Sequence, residues 1–130
     1  MARFILLCAL LAGGFLFSSS SSAAAPTCQT TSTGSPYCSY SGKVKKIYIN
    51  SGGLILLYFD TPLNLADAEA VGYSPTSTTA TVYPLSENPD FAKLFYSTAL
   101  AAQASGRNIS IQMRGTHHGY LKFDRIWLNE

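Results

Sequence analysis

Hydrophobic and polar positions beyond residue 42 follow two periods, and an element ends wherever the period changes. Residues 43–50 alternate, with Val44, Lys46 and Tyr48 on one side and Lys45, Ile47 and Ile49 on the other, the pattern of a strand half facing water. Ser51-Gly52-Gly53 is a turn signal, and residues 54–60 are apolar on both faces, which predicts a second strand covered on two sides. The two read as a hairpin. Residues 61–79 hold Pro62, Gly72, Pro75 and many Ser and Thr without a period; such a long connection is uncommon in a compact domain, and residues 67–71 are where one helical turn fits. Residues 80–85 give a third strand around Val82 and Tyr83, ended by Pro84.

The period then lengthens. Asn88 is a helix cap, Pro89 occupies the first turn where its missing N–H costs nothing, and Asp90 faces the positive end of the helix dipole. Gly106 closes the helix. Phe91, Leu94, Phe95, Thr98, Ala101, Ala102 and Ser105 form its predicted buried stripe, while Tyr96 and Leu100 fall on the other side and suggest a second covered surface. Residues 108–114 return to strict alternation, Ile109, Ile111 and Met113 inward against Ser110, Gln112 and Arg114. Residues 115–119 read as a turn. Residues 120–129 read as the last strand, with Leu121, Phe123 and Trp127 on one side and Lys122, Asp124, Ile126 and Leu128 on the other. Three strands, a helix and two strands in about 90 residues is the order of a mainly β, five-stranded Greek-key OB-fold barrel with one α-helix between strands three and four.

The start of the chain follows another rule. Arg3 precedes an apolar run over residues 4–17, then small and polar residues to Ala25, which is the pattern of a secretory signal peptide spanning 1–24. The apolar run falls short of the roughly 20 residues a membrane span needs. Export implies an oxidising compartment, so Cys28 and Cys38 are expected to form a disulfide that pins an N-terminal arm over 25–41 ahead of the OB-fold domain at 42–130. The expected location is secreted or periplasmic.

Composition narrows the partners. With 130 residues, 9 Lys+Arg against 7 Asp+Glu and 12% charged residues, the chain holds one domain and lacks the basic stripe of a nucleic-acid binder. Catalytic patterns are missing too: no Gly-x-Ser-x-Gly elbow, no spare thiol after processing, and adjacent His117 and His118 that the turn should direct apart. The expectation is a non-enzyme with no metal and no cofactor. Eight Tyr and one Trp among few charges suit sugar recognition, in which a ring stacks on a pyranose while hydroxyls and amides meet its hydroxyl groups. The candidate ligand-binding residues are Tyr37, Tyr40, Tyr73, His117, His118 and Tyr120.

The segment from Phe91 to Ile111, a helix of about fifteen residues ending in small-Gly-basic-x-apolar-x-apolar, resembles the helix and fourth strand of the pertussis-like and subtilase-toxin-like binding subunits of bacterial AB-type toxins. That resemblance implies a secreted OB-fold that oligomerises, with Tyr96 and Leu100 in the subunit interface, a glycan or glycoprotein as ligand, and a catalytic partner chain. The competing expectation is an exported OB-fold structural or inhibitor protein that binds another protein.

Overall fold

A computed structural model describes residues 25–130, so the expected signal peptide at 1–24 lies outside the described residues. Seven strands and two helices occur among them: β1 (Thr27–Thr30), β2 (Pro36–Lys43), β3 (Ile47–Ile49), β4 (Leu54–Tyr58), α1 (Leu65–Ala70), β5 (Ala80–Pro84), α2 (Pro89–Ser105), β6 (Asn108–His117) and β7 (Tyr120–Leu128). The mainly β class is as expected; the strand count is not. One of the two additional strands comes from the disulfide-linked arm, whose β1 pairs with β2 so that Cys28 and Cys38 face each other and are bonded. The arm is therefore part of the sheet. The second is β2 itself, which also lies largely in the arm, while the expected strand at 43–50 shortens to β3 because Val44 turns inward to 4% exposure between β2 and β3. The long connection also contains an element, since the Asn64 side chain accepts the Ala66 N–H at 3.1 Å and starts α1.

The strand order is β1-β2-β6-β7-β5-β4-β3. Every neighbouring pair is antiparallel except β5 and β7. β2 and β3 stand five strand spacings apart in this order, about 24 Å if the sheet were flat. Yet only residues 44–46 join them, a link that reaches roughly 14 Å. The sheet must therefore curl until its β3 end returns toward β2. Contacts at the junction agree: the Asp60 N–H donates to the Tyr40 hydroxyl at 3.2 Å, the Tyr40 and Phe59 rings are 5.0 Å apart, and Lys45 Nζ lies 3.0 Å from Asp60 Oδ1.

Helix α2 packs on the inner face. Asn88 accepts the Phe91 N–H at 3.0 Å, Pro89 follows in the first turn, and Gly106 ends the helix in the left-handed conformation. Its buried positions are Ala92, Phe95, Ala99 and Ala102. This corrects the predicted stripe, because Leu94 is 66% exposed and Ala101 is exposed. Alanine at three of the four buried positions lets the helix approach β6 and β7 closely, and Phe95, its one large fully buried side chain, stacks on Phe123 with ring centroids 3.5 Å apart and planes 12° from parallel.

Two irregularities between β6 and β7 decide which side chains face outward. Gln112 pairs with Arg125 and Met113 with Phe123, so Asp124 is an extra residue on β7. Met113 to Thr116 then takes three steps against two from Phe123 to Leu121, so β6 also carries an extra residue at Arg114–Gly115. Gly115 has φ 73°, which a glycine adopts without a Cβ penalty. A one-residue insertion reverses the alternation beyond it. Hence Leu121 and Phe123 are buried as expected, whereas Trp127, placed with them by simple alternation, is 48% exposed and Ile126 and Leu128 pack on the core instead. β6 also runs to His117, so the predicted turn at 115–119 shrinks to His118–Gly119.

Because Phe95 holds the helix to the sheet, Phe95→Ala is expected to reduce stability by about 3–5 kcal/mol. Urea denaturation measures it, and a loss below about 1 kcal/mol would mean that the alanine stripe docks α2 without the ring.

Candidate functional site

The six aromatic and histidine residues expected to bind ligand fall in separate places. Tyr40 is 2% exposed, and its buried hydroxyl has a pKa above the ordinary tyrosine value, with desolvation as the main cause and the bond from the Asp60 N–H acting against it. It belongs to the core and offers no platform, a correction that follows from its place on the inner face of β2 beside Cys38. Tyr73 is half-buried and its hydroxyl donates to the Pro36 carbonyl at 2.7 Å, so it straps the long connection to the start of β2. Tyr37 stays half-exposed on the outer face and accepts a hydrogen bond from the Gln29 side chain.

His117, His118 and Tyr120 form the β6–β7 tip. The two imidazoles do not point apart as expected; their centroids are 4.2 Å apart, edge to face. His118 and Gly119 both have positive φ, which makes a tight turn matching strand twist. Gly119 is favoured twice over, by its φ of 80° and because a Cβ there would run into Thr76 Oγ1, and its carbonyl accepts N–H groups from Thr76 and Ser77 at 2.8 and 2.9 Å. Tyr120 covers a second apolar cluster of Leu56, Ala80 and Val82 on the outer side of β4 and β5.

Helix residues Tyr96 and Leu100 line a groove of about 470 Å³ with Ile47 and Ile49 of β3. Tyr96 also packs against the main core, so its side of the helix is partly covered within the chain. Leu100 is exposed, as are Tyr48 and Ile49 on β3, a terminal strand of the sheet order.

Sequence reasoning missed two features. The first is the outer face of β1, β2, β6 and β7, where register puts Gln29 beside Tyr37, Ser39 beside Gln112 and Arg125, and Ser41 beside Ser110 and Trp127. Asn129 Nδ2 donates to Ser110 Oγ at 2.9 Å, and Ser110 Oγ lies 3.2 Å from Ser41 Oγ. This is a surface of hydroxyls and amides with Tyr37 and Trp127 as half-exposed rings, about 16 Å apart from strand spacing and rise. The alternating Ser and Gln were visible in the sequence; their alignment across four strands was not.

The second is a cleft at the β5–β7 seam. The parallel pairing covers just Thr81–Leu121 and Val82–Lys122, after which the strands separate and the start of α2 lies beside the gap. Lys122 Nζ donates to both Glu87 carboxylate oxygens at 2.7 and 2.9 Å on one wall. Arg114 Nε lies 3.5 Å from Asp124 Oδ2 on the other, and Arg125, which lines the neighbouring groove, brings its Nε to 3.6 Å from the same oxygen. Tyr83, Phe91 and Phe123 also line it. Burial pushes the Tyr83 hydroxyl pKa up, with Glu87 adding to the effect and Lys122 opposing it.

No family model, curated protein or solved structure matches the chain. Among the described residues no group of three or more His, Cys, Asp or Glu side chains is placed to hold a metal, and no helix is long and apolar enough to cross a membrane.

The histidine tip carries a pH dependence. His117 has a pKa below the ordinary imidazole value, through desolvation first, then His118 and Lys122, with Glu87 opposing. The folded state therefore binds this proton more weakly than the unfolded chain, so stability falls as pH drops from above about 6.5 toward the depressed value and levels off below it. Urea midpoints at pH 7.5 and 5.5 should show this loss, and His117→Gln should reduce it; an unchanged difference would assign the dependence to other groups.

Proposed function

We propose that this chain is an exported, non-catalytic glycan-binding protein on an OB-type barrel, acting without metal or cofactor. The observation that carries this reading is Trp127, half-exposed at one end of a face of hydroxyl and amide side chains. A sugar needs both parts: an apolar ring for its C–H face and neutral donors and acceptors for its hydroxyls. Nucleic acid fits less well, since Lys45 is paired with Asp60 and Lys46 sits 4.2 Å over the Tyr58 ring.

The OB-type assignment rests on topology. β2 and β3 act as two halves of a first strand bent at Val44, followed by β4, β5, the helix α2, β6 and β7, with the parallel pair between the third and last barrel strands. The Cys28–Cys38 disulfide is compatible with a periplasmic or extracellular protein, in keeping with the signal-like residues 1–24. By its resemblance to toxin binding subunits, the protein is proposed to assemble as a homo-oligomer and to serve a catalytic partner chain. The exposed Leu100, Tyr48 and Ile49 supply an apolar surface for assembly.

Trp127→Ala should weaken glycan binding by roughly fivefold to thirtyfold, the equivalent of about 1–2 kcal/mol of stacking and apolar contact. A glycan array followed by calorimetry on the best ligand measures it; unchanged affinity would remove the polar face from the site, and an array with no binder would remove the glycan reading.

Changing both Tyr96 and Leu100 to Glu should convert the assembly into folded monomers in analytical ultracentrifugation, because charge would enter an apolar contact. A parent protein that sediments as a monomer would instead favour the exported structural or inhibitor protein, with the β3–α2 groove free for a different chain.

A further inference from the structure

We infer that the polar face takes the interior of an unbranched, extended glycan laid diagonally across β2, β6 and β7, and has little hold on a single terminal sugar; this rests on the glycan reading above. Register carries the argument. Ser39, Gln112 and Arg125 form one row across these three strands, and Ser41, Ser110 and Trp127 form the next row on the same face. Tyr37 precedes Ser39 by two residues on β2, so it faces the same way one step before the first row. Gln112 therefore sits at the midpoint of the diagonal from Tyr37 to Trp127, about 8 Å from each by strand spacing and rise. Rings in contact lie roughly 4.5–7 Å apart by centroid, so one pyranose cannot stack on both Tyr37 and Trp127, which stand about 16 Å apart on one face. A chain long enough to span them stacks on both.

Side-chain bonding along the diagonal marks where the ligand's hydroxyls are met. At one end Gln29 donates to the Tyr37 hydroxyl, and at the other Asn129 donates to Ser110 at 2.9 Å, with Ser41 Oγ 3.2 Å further on. Both ends are thus held by bonds within the protein. Between them, the half-buried Ser39 hydroxyl and Gln112 amide make no side-chain hydrogen bond to another described residue. They offer donors and acceptors of neutral type midway between the rings, while Arg125 beside them is drawn to Asp124 Oδ2 at 3.6 Å. Neither the β3–α2 groove nor the seam cleft includes Tyr37, Ser39, Gln112 or Trp127, so the face meets its ligand from one side and must gather contact along a length rather than by enclosure. An equatorially linked chain of pyranoses is a ribbon that presents a C–H face to each ring and hydroxyls to the groups between. A terminal sugar on a branch reaches one ring only.

The test measures, by calorimetry on the full purified protein, affinity for cello-, manno- and chito-oligosaccharides, each from the disaccharide to the hexasaccharide. In the series that binds, affinity should rise at least about tenfold between the disaccharide and the tetrasaccharide, the scale of one added ring contact with its hydrogen bonds. From tetrasaccharide to hexasaccharide it should change by less than about threefold, because the chain already spans both rings. Tyr37→Ala should erase the rise and leave disaccharide affinity within about twofold of the parent, since Trp127 is untouched. Disaccharides bound as tightly as tetrasaccharides, or binding confined to terminal or branched structures on the glycan array, would overturn this inference and leave the glycan reading intact. A rise that survives in a folded Tyr37→Ala variant would overturn the diagonal path, and an absence of any glycan binding would remove both. The wild-type length series stands alone, so a variant that fails to fold does not protect the inference.

Discussion

The stack of Phe95 on Phe123 is the contact on which the remaining geometry depends. It joins the single long helix to the central strand of the curved sheet, and Phe91 and Tyr83 extend it with rings 5.0 Å apart. Once Phe95 is fixed, the spacing of Ala92, Ala99 and Ala102 sets the face of α2 that can come close, and Leu94 is turned to solvent. Phe123 is also the last inward residue of β7 before Asp124 reverses the alternation. The core contact and the exposure of Trp127 thus lie on either side of one inserted residue.

That insertion explains much of what the sequence could and could not reveal. The caps of α2 at Asn88 and Gly106, the Cys28–Cys38 pair and the inward Ile109, Ile111 and Met113 each follow from local chemistry and were legible. Trp127 was not, because alternation counted from Leu121 is valid only while the register is unbroken, and no residue type marks Asp124 as a bulge. Tyr40 was misjudged for a different reason. A tyrosine beside a disulfide in a Ser/Thr-rich segment looks superficial, but β2 lies between β1 and β6 and every second residue of it points into the core. The break at Val44 was hidden because its buried side chain fits an alternating strand equally well.

The candidate site was less legible than the fold. Of the residues expected to touch ligand, Tyr37 alone lies on the proposed sugar face; Tyr73 and the histidine tip hold loops, and Tyr40 fills the core. A binding face assembled from alternate residues of four strands has no contiguous signature. Its parts, Ser39, Ser41, Ser110 and Gln112, are individually ordinary. What the sequence did contain was their polarity: hydroxyls and an amide where other sheets carry lysine and glutamate, which suits neutral ligands.

β7 divides the outer surface into two chemistries. Before Asp124 its outward residues are Tyr120 and Lys122, the first covering Leu56, Ala80 and Val82 and the second tied to Glu87. After Asp124 they are Arg125 and Trp127, which join the hydroxyls and amides of β2 and β6. The apolar cluster is covered within the chain, whereas a polar face with isolated rings suits sugar, so one strand borders a closed surface on one side of Asp124 and the proposed sugar face on the other. The charged pairs of Asp124 and Lys122 lie between them, at the seam where the parallel strands part. Removing the bulge would therefore be a structural change with a functional consequence: Trp127 would turn inward while Ile126 and Leu128 turned outward, so the polar face would lose its tryptophan and gain two aliphatic side chains, and the seam would lose the carboxylate that pairs with both arginines.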